Sequence, residues 1–206
     1  MRPETHQQLV TFLLMTFGVA FVFCALFTAL SILLCHRLHI IDAPSPDKTH
    51  ARPTPRLGGP AIWLALMIAL GIKSASPQHM AVLTGGALVL LVGVVDDVRG
   101  VNAVVKLICI AVATAIMCLN GVAFSSAAGP VVNYLVTLLW TIGVISAVKA
   151  IDNMDGLAGG ISLVAACMFL AVAVQTGQIT FAVISVALMG APMGFLVFNK
   201  PPAQVF

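Results

Sequence analysis

The stretch Leu88-Val89-Leu90-Leu91-Val92-Gly93-Val94-Val95-Asp96-Asp97 runs through apolar residues and then, with no polar transition, presents two adjacent carboxylates. Lipid offers no partners for backbone N–H and C=O groups, so an apolar run of this kind must satisfy them internally and is read as a helix. The paired Asp residues mark where that helix leaves the hydrocarbon. The rest of the chain agrees with this reading. Of its 206 residues 60% are hydrophobic and 8% charged, whereas a soluble domain carries about 25% charged residues. Mean hydropathy is +1.09. Such a chain cannot cover a water-soluble globule with polar side chains, which excludes soluble enzymes, disulfide-framework domains and disordered tails. The net charge of +3 speaks for membrane topology and against a nucleic-acid partner. The five Cys lie in apolar runs without C-x-x-C spacing and read as small core hydrophobes.

A hydrocarbon core of about 30 Å takes roughly 20 helical residues. Seven runs qualify: about Leu9 to Cys35, Leu57 to Ile72, Met80 to Val95, Val104 to Phe124, Pro130 to Val148, Gly159 to Gln175 and Thr180 to Phe198. The second and third are short for spans. The expected fold is all-α, a polytopic integral membrane helical bundle of about seven transmembrane helices, with residues 1–206 as a single transmembrane domain. The first run is too long for the apolar core of a signal peptide. Alternating the loops places 36–56, 96–103, 149–158 and 199–206 on one side, together with Arg37, Lys48, Arg52, Arg56, Arg99, Lys149 and Lys200. By the positive-inside rule that side is cytoplasmic and the N-terminus is outside. Asp42, Asp47, Asp96, Asp97, Asp152 and Asp155 gather on the same side, leaving only Glu4 elsewhere. In the first of these loops, Pro44, Pro46, Pro53 and Pro55 forbid a regular helix and predict a shaped extended segment.

Three constellations can carry chemistry. Asp96 and Asp97 repel each other at a helix C-terminus, the end of the macrodipole that disfavours acids; a cation would relieve both penalties. Asp152 and Asp155, three residues apart in Asp152-Asn153-Met154-Asp155-Gly156-Leu157, face the same way on one turn. Capping of the next helix accounts for Asp155 alone. Gly156, Gly159 and Gly160 allow close backbone approach, to a neighbouring helix or to a ligand. Lys48, His50, Arg52 and Arg56 form a cationic loop suited to phosphate oxygens or to anionic lipid heads. Clustered carboxylates and a cationic loop at one face suggest a site for phosphorylated substrates, and Asp oxygens suit Mg²⁺ bridging to phosphate.

Asp42-Ala43-Pro44 with Lys48, His50, Pro53-Thr54-Pro55-Arg56 and Gly58-Gly59, then Gly93-Val94-Val95-Asp96-Asp97 with Lys106, then Asp152-Asn153-Met154-Asp155-Gly156-Leu157, then Asn199-Lys200-Pro201-Pro202, stand in one order along nearly the whole chain. In this the chain resembles the polyprenyl-phosphate N-acetylhexosamine-1-phosphate transferases, glycosyltransferase family 4, which include the enzymes that initiate lipopolysaccharide and teichoic acid and the peptidoglycan translocase. The form of the first loop looks nearer to the N-acetylglucosamine branch. The resemblance implies transfer of a sugar 1-phosphate from a UDP-sugar to undecaprenyl phosphate in the bacterial inner membrane, with release of UMP at a site facing the cytoplasm. It implies Asp96, Asp97, Asp152 and Asp155 as catalytic residues. Asp97 would be the metal ligand for Mg²⁺ or Mn²⁺, and Lys48, His50, Thr54, Arg56 and Lys106 would bind substrate. Membrane lipid surrounds such an enzyme, and a homodimer is compatible with it.

The pattern is broken in places. The family has Asn where Ser146 and Lys149 stand and Gly at Asn153, and commonly a basic residue at Asp47. Lys149 puts a cation beside the carboxylates, where it either substitutes for metal charge or blocks the nucleotide. The family also continues past the position of Phe206 into an M-G-D motif, so the resemblance implies a truncated member with an incomplete catalytic domain. Two other functions compete: an inactive homologue that binds lipid phosphate or a membrane partner, and a small transporter. The transporter predicts acidic residues within the helices, and the sequence places none at mid-helix.

Overall fold

The computed structural model describes residues 3–38, 41–42, 54–55, 57–71, 76–152 and 154–205. Seven helices occur among them: α1 (Pro3–Leu38), α2 (Gly58–Gly71), α3 (Pro77–Arg99), α4 (Ala103–Leu119), α5 (Pro130–Ile151), α6 (Leu157–Gln175) and α7 (Ile179–Asn199). Between α1 and α2 lies a short antiparallel pair, β1 (Ile41–Asp42) with β2 (Thr54–Pro55), in which Ile41 faces Pro55 and Asp42 faces Thr54. The helical membrane bundle expected from composition is thus present.

The helix ends differ from expectation where local chemistry differs. The third helix is not short: Ser76 caps it by accepting the His79 N–H, Pro77 opens it, and it runs 23 residues to Arg99. Asp96 and Asp97 therefore lie within its last turn rather than after it. The fourth helix stops at Leu119 instead of continuing to Phe124, because Asn120 and Gly121 turn the chain, Gly121 with φ of 80°. Five helices are long and apolar enough to cross a bilayer, while α2 and α4 have 14 and 17 residues. At 1.5 Å per residue these two reach only about 21 and 25 Å. Leu14, Leu33, Leu139 and Met168 are each more than 60% exposed, an apolar outer surface that only lipid covers without cost.

The chain divides into two compact units, residues 1–74 with 151–206, and residues 75–150. In the first, α7 is the central helix and packs against α1, α2 and α6. Between helices in lipid there is little hydrophobic drive, so close fit decides association. Small buried residues recur every fourth position on α1 (Thr16, Ala20, Cys24, Thr28) and on α2 (Ala61, Ala65, Ala69). On α7, Gly190 and Gly194 meet α1: a Cβ at Gly190 would lie 2.5 Å from the Phe17 carbonyl oxygen, and one at Gly194 would collide with the Phe21 carbonyl oxygen. Thr16 and Ser185 donate their hydroxyls to carbonyls one turn back, of Phe12 at 2.9 Å and of Phe181 at 2.7 Å, so neither hydroxyl is left to the lipid. The helix continues through Pro192 without interruption.

In the second unit α3 packs on α4, with Gly85 against the Ala113 carbonyl and Met117. The α4–α5 connection is tied back to α5. The Phe124 N–H donates to Thr137 Oγ1 at 3.1 Å, Ser126 Oγ to Asn133 Oδ1 at 2.6 Å, and the Phe124 ring meets Trp140 edge-on at 6.0 Å. Tyr134 donates its phenol to the Ala111 carbonyl at 3.2 Å, joining α5 to α4.

Candidate active site

Among the described residues, each unit has carboxylates engaged at helix ends. In the second unit this occurs where the ends of three helices meet. Asp96, in the last turn of α3, has a side chain only 12% exposed. Its Oδ1 accepts from Lys106 Nζ at 2.7 Å and from the Val101 N–H at 2.9 Å, and its Oδ2 from Lys149 Nζ at 2.8 Å. The backbone N–H of Gly100, at φ of 68°, closes the helix on the Asp96 carbonyl at 2.9 Å, and Asn102 starts α4 by accepting the Val104 N–H at 2.9 Å. This answers the misfit of an acid at a helix C-terminus: two ammonium groups, from the first turn of α4 and the last turn of α5, compensate it. The lysine stems are 34% and 67% exposed for Lys106 and Lys149, so the cations lie outward of the carboxylate.

In the first unit the turn holding Asp152 and Asp155 precedes α6. Asp155 does not cap that helix. The N-cap is Gly156, at φ of 74° and with no side-chain bond, while Asp155 Oδ2 accepts the Ala203 N–H at 2.9 Å. The carboxylate is thereby drawn to the segment after α7 instead of to the first turn of α6. Asn199, 7% exposed, completes the junction: its Oδ1 accepts the Gly156 N–H at 3.0 Å and its Nδ2 donates to the Val205 carbonyl at 2.8 Å. Gly159 allows Leu196 to sit against α6, since a Cβ there would be 2.9 Å from Leu196 Cδ2. This glycine packs helices, whereas Gly160 faces open space. Asp152 is exposed in the turn.

The residues singled out from sequence are therefore found as follows. Asp96 and Lys106 are in direct contact, and Asp155 is bound to the segment at 203. Asp97 is in the last turn of α3, and its side chain lies outside the described part of the molecule. Thr54 is on β2, paired with Asp42. Lys48, His50 and Arg56, with Asn153, lie outside the described residues. Sequence reading missed the role of Asn199, and it put Lys149 beside the carboxylates without naming Asp96 as the partner. The signal for Asn199 was an amide closing an apolar helix; that for Lys149 was a cation in the last turn of α5.

Seven helices among the described residues, five of them long and apolar enough to cross a bilayer, define a multi-pass membrane protein. The profile of glycosyl transferase family 4 matches residues 79–206, more than half of the chain, and the protein belongs to that family. Among its relatives, the decaprenyl-phosphate N-acetylglucosaminephosphotransferase of Mycobacterium leprae (strain TN) is 32% identical over 208 residues, 87% of this chain and 52% of the relative. A probable undecaprenyl-phosphate N-acetylglucosaminyl 1-phosphate transferase of Bacillus subtilis (strain 168) is 28% identical over 183 residues, 82% of this chain and 51% of the relative. The phospho-N-acetylmuramoyl-pentapeptide-transferase of Symbiobacterium thermophilum is 42% identical over 74 residues, 35% of this chain and 22% of the relative. The chain spans about half the length of the N-acetylglucosamine-type relatives it matches.

Proposed function

We propose that the chain serves transfer of a sugar 1-phosphate, N-acetylglucosamine 1-phosphate, from a UDP-sugar to undecaprenyl phosphate in a bacterial plasma membrane, at the cytoplasmic face. The observation that carries this reading is the alignment with N-acetylglucosamine phosphotransferases over 82% and 87% of the chain, against 35% for the muramoyl-pentapeptide enzyme. In the reaction an oxygen of the lipid phosphate bonds to the phosphorus that bears the sugar. The bond from that phosphorus to the bridging oxygen breaks, and UMP leaves with the bridging oxygen. A phosphate monoester has a second pKa of about 6 by analogy with phosphoserine, so the acceptor arrives largely as a dianion. Bringing two anions together, rather than removing a proton, is then the main task of the protein.

The reading includes Mg²⁺, replaceable by Mn²⁺, with Asp97 as a ligand. When bound, such an ion neutralises phosphate oxygens. The described carboxylates do not fit a divalent centre by themselves: both oxygens of Asp96 are engaged by lysines, Asp155 is engaged by a backbone N–H, and among the described residues no three His, Cys, Asp or Glu side chains gather. Asp96 is accordingly assigned to holding Lys106 and Lys149, and Asp155 to holding the segment after α7. Lys48, His50, Thr54, Arg56 and Lys106 are the substrate-binding residues of this proposal, and Asp152 belongs with Asp155 to the nucleotide-sugar side.

A second reading, a family member that holds lipid phosphate without turning it over, draws on the Lys149–Asp96 ion pair. One assay separates the two. Purified chain in detergent is given undecaprenyl phosphate, Mg²⁺ and radiolabelled UDP-N-acetylglucosamine, and lipid-linked product is counted. We expect product that disappears with chelator and falls about 100-fold or more in Asp97→Ala. Absence of product from the native chain, with a full-length relative active alongside, supports the second reading.

A further inference from the structure

We draw no further inference here: the strongest candidate, the buried imidazole of His79 in the first turn of α3, whose two ring nitrogens meet no hydrogen-bond partner among the described residues, carries nothing, because Ser76 closes the helix start beside it and nothing in the structure shows what ligand the ring would take.

Discussion

Asn199 shows how much one buried amide can organise. Its acceptor takes the Gly156 N–H and its donor serves the Val205 carbonyl, so the turn after Asp155 and the segment after α7 are joined through a single side chain. Asn199→Ala orphans both groups at about 1–3 kcal/mol each. The unfolding midpoint in detergent should fall clearly, and it should fall in Asn199→Asp as well, which keeps the acceptor but sets a carboxylate oxygen against the Val205 carbonyl. An Ala variant as stable as the native chain would contradict this role. Such bonds were not legible in the sequence, because the partners are backbone groups that only the folded turn brings within reach. The paired Asp96 and Asp97 were legible, since an abrupt change from apolar run to carboxylate needs no tertiary knowledge. That Asp96 would be engaged by Lys149 was not, for the two stand 53 positions apart.

At the scale of the helices, fit without hydrophobic drive governs assembly, and α7 is where the fit is closest. Gly190 and Gly194 have the G-x-x-x-G spacing of close helix packing, and they pack on the small stripe of α1. Gly194→Leu places a side chain into the α1 backbone and should abolish monodisperse protein on gel filtration. Gly143→Ala, whose Cβ would meet nothing within 4 Å, should be tolerated and add up to about 1 kcal/mol through lower backbone entropy of the unfolded chain. Equal behaviour of the two variants would refute the packing argument. The seven runs were evident because hydropathy is a local property. The third run proved longer at both ends, opened by a Ser-Pro start and closed by a last turn that takes in Asp96 and Asp97, and the fourth was cut short by an Asn-Gly turn. The β1–β2 pair went unforeseen, as two-residue strands leave no periodicity to read.

For the molecule as a whole, the proposed transfer between two phosphates requires that the polar ends of both units be reached from one side of the membrane. Within the first unit, the Asp155 turn and the segment at 199–205 share one end; within the second, the ends of α3 and α5 share one end with the start of α4. Both clusters must then open to the same compartment. The direct measurement is side-specific labelling in membrane vesicles of known orientation, in a background with Cys24, Cys35, Cys109, Cys118 and Cys167 replaced. Single cysteines are placed at exposed positions by Ala103→Cys, Met154→Cys and, on the connection between α4 and α5, Ala127→Cys. With a membrane-impermeant maleimide we expect Ala103→Cys and Met154→Cys to react from the cytoplasmic side only, and Ala127→Cys from the opposite side only. Labelling of Ala103→Cys and Met154→Cys from opposite sides would contradict the account, because no phosphate pair could then be handled by both clusters.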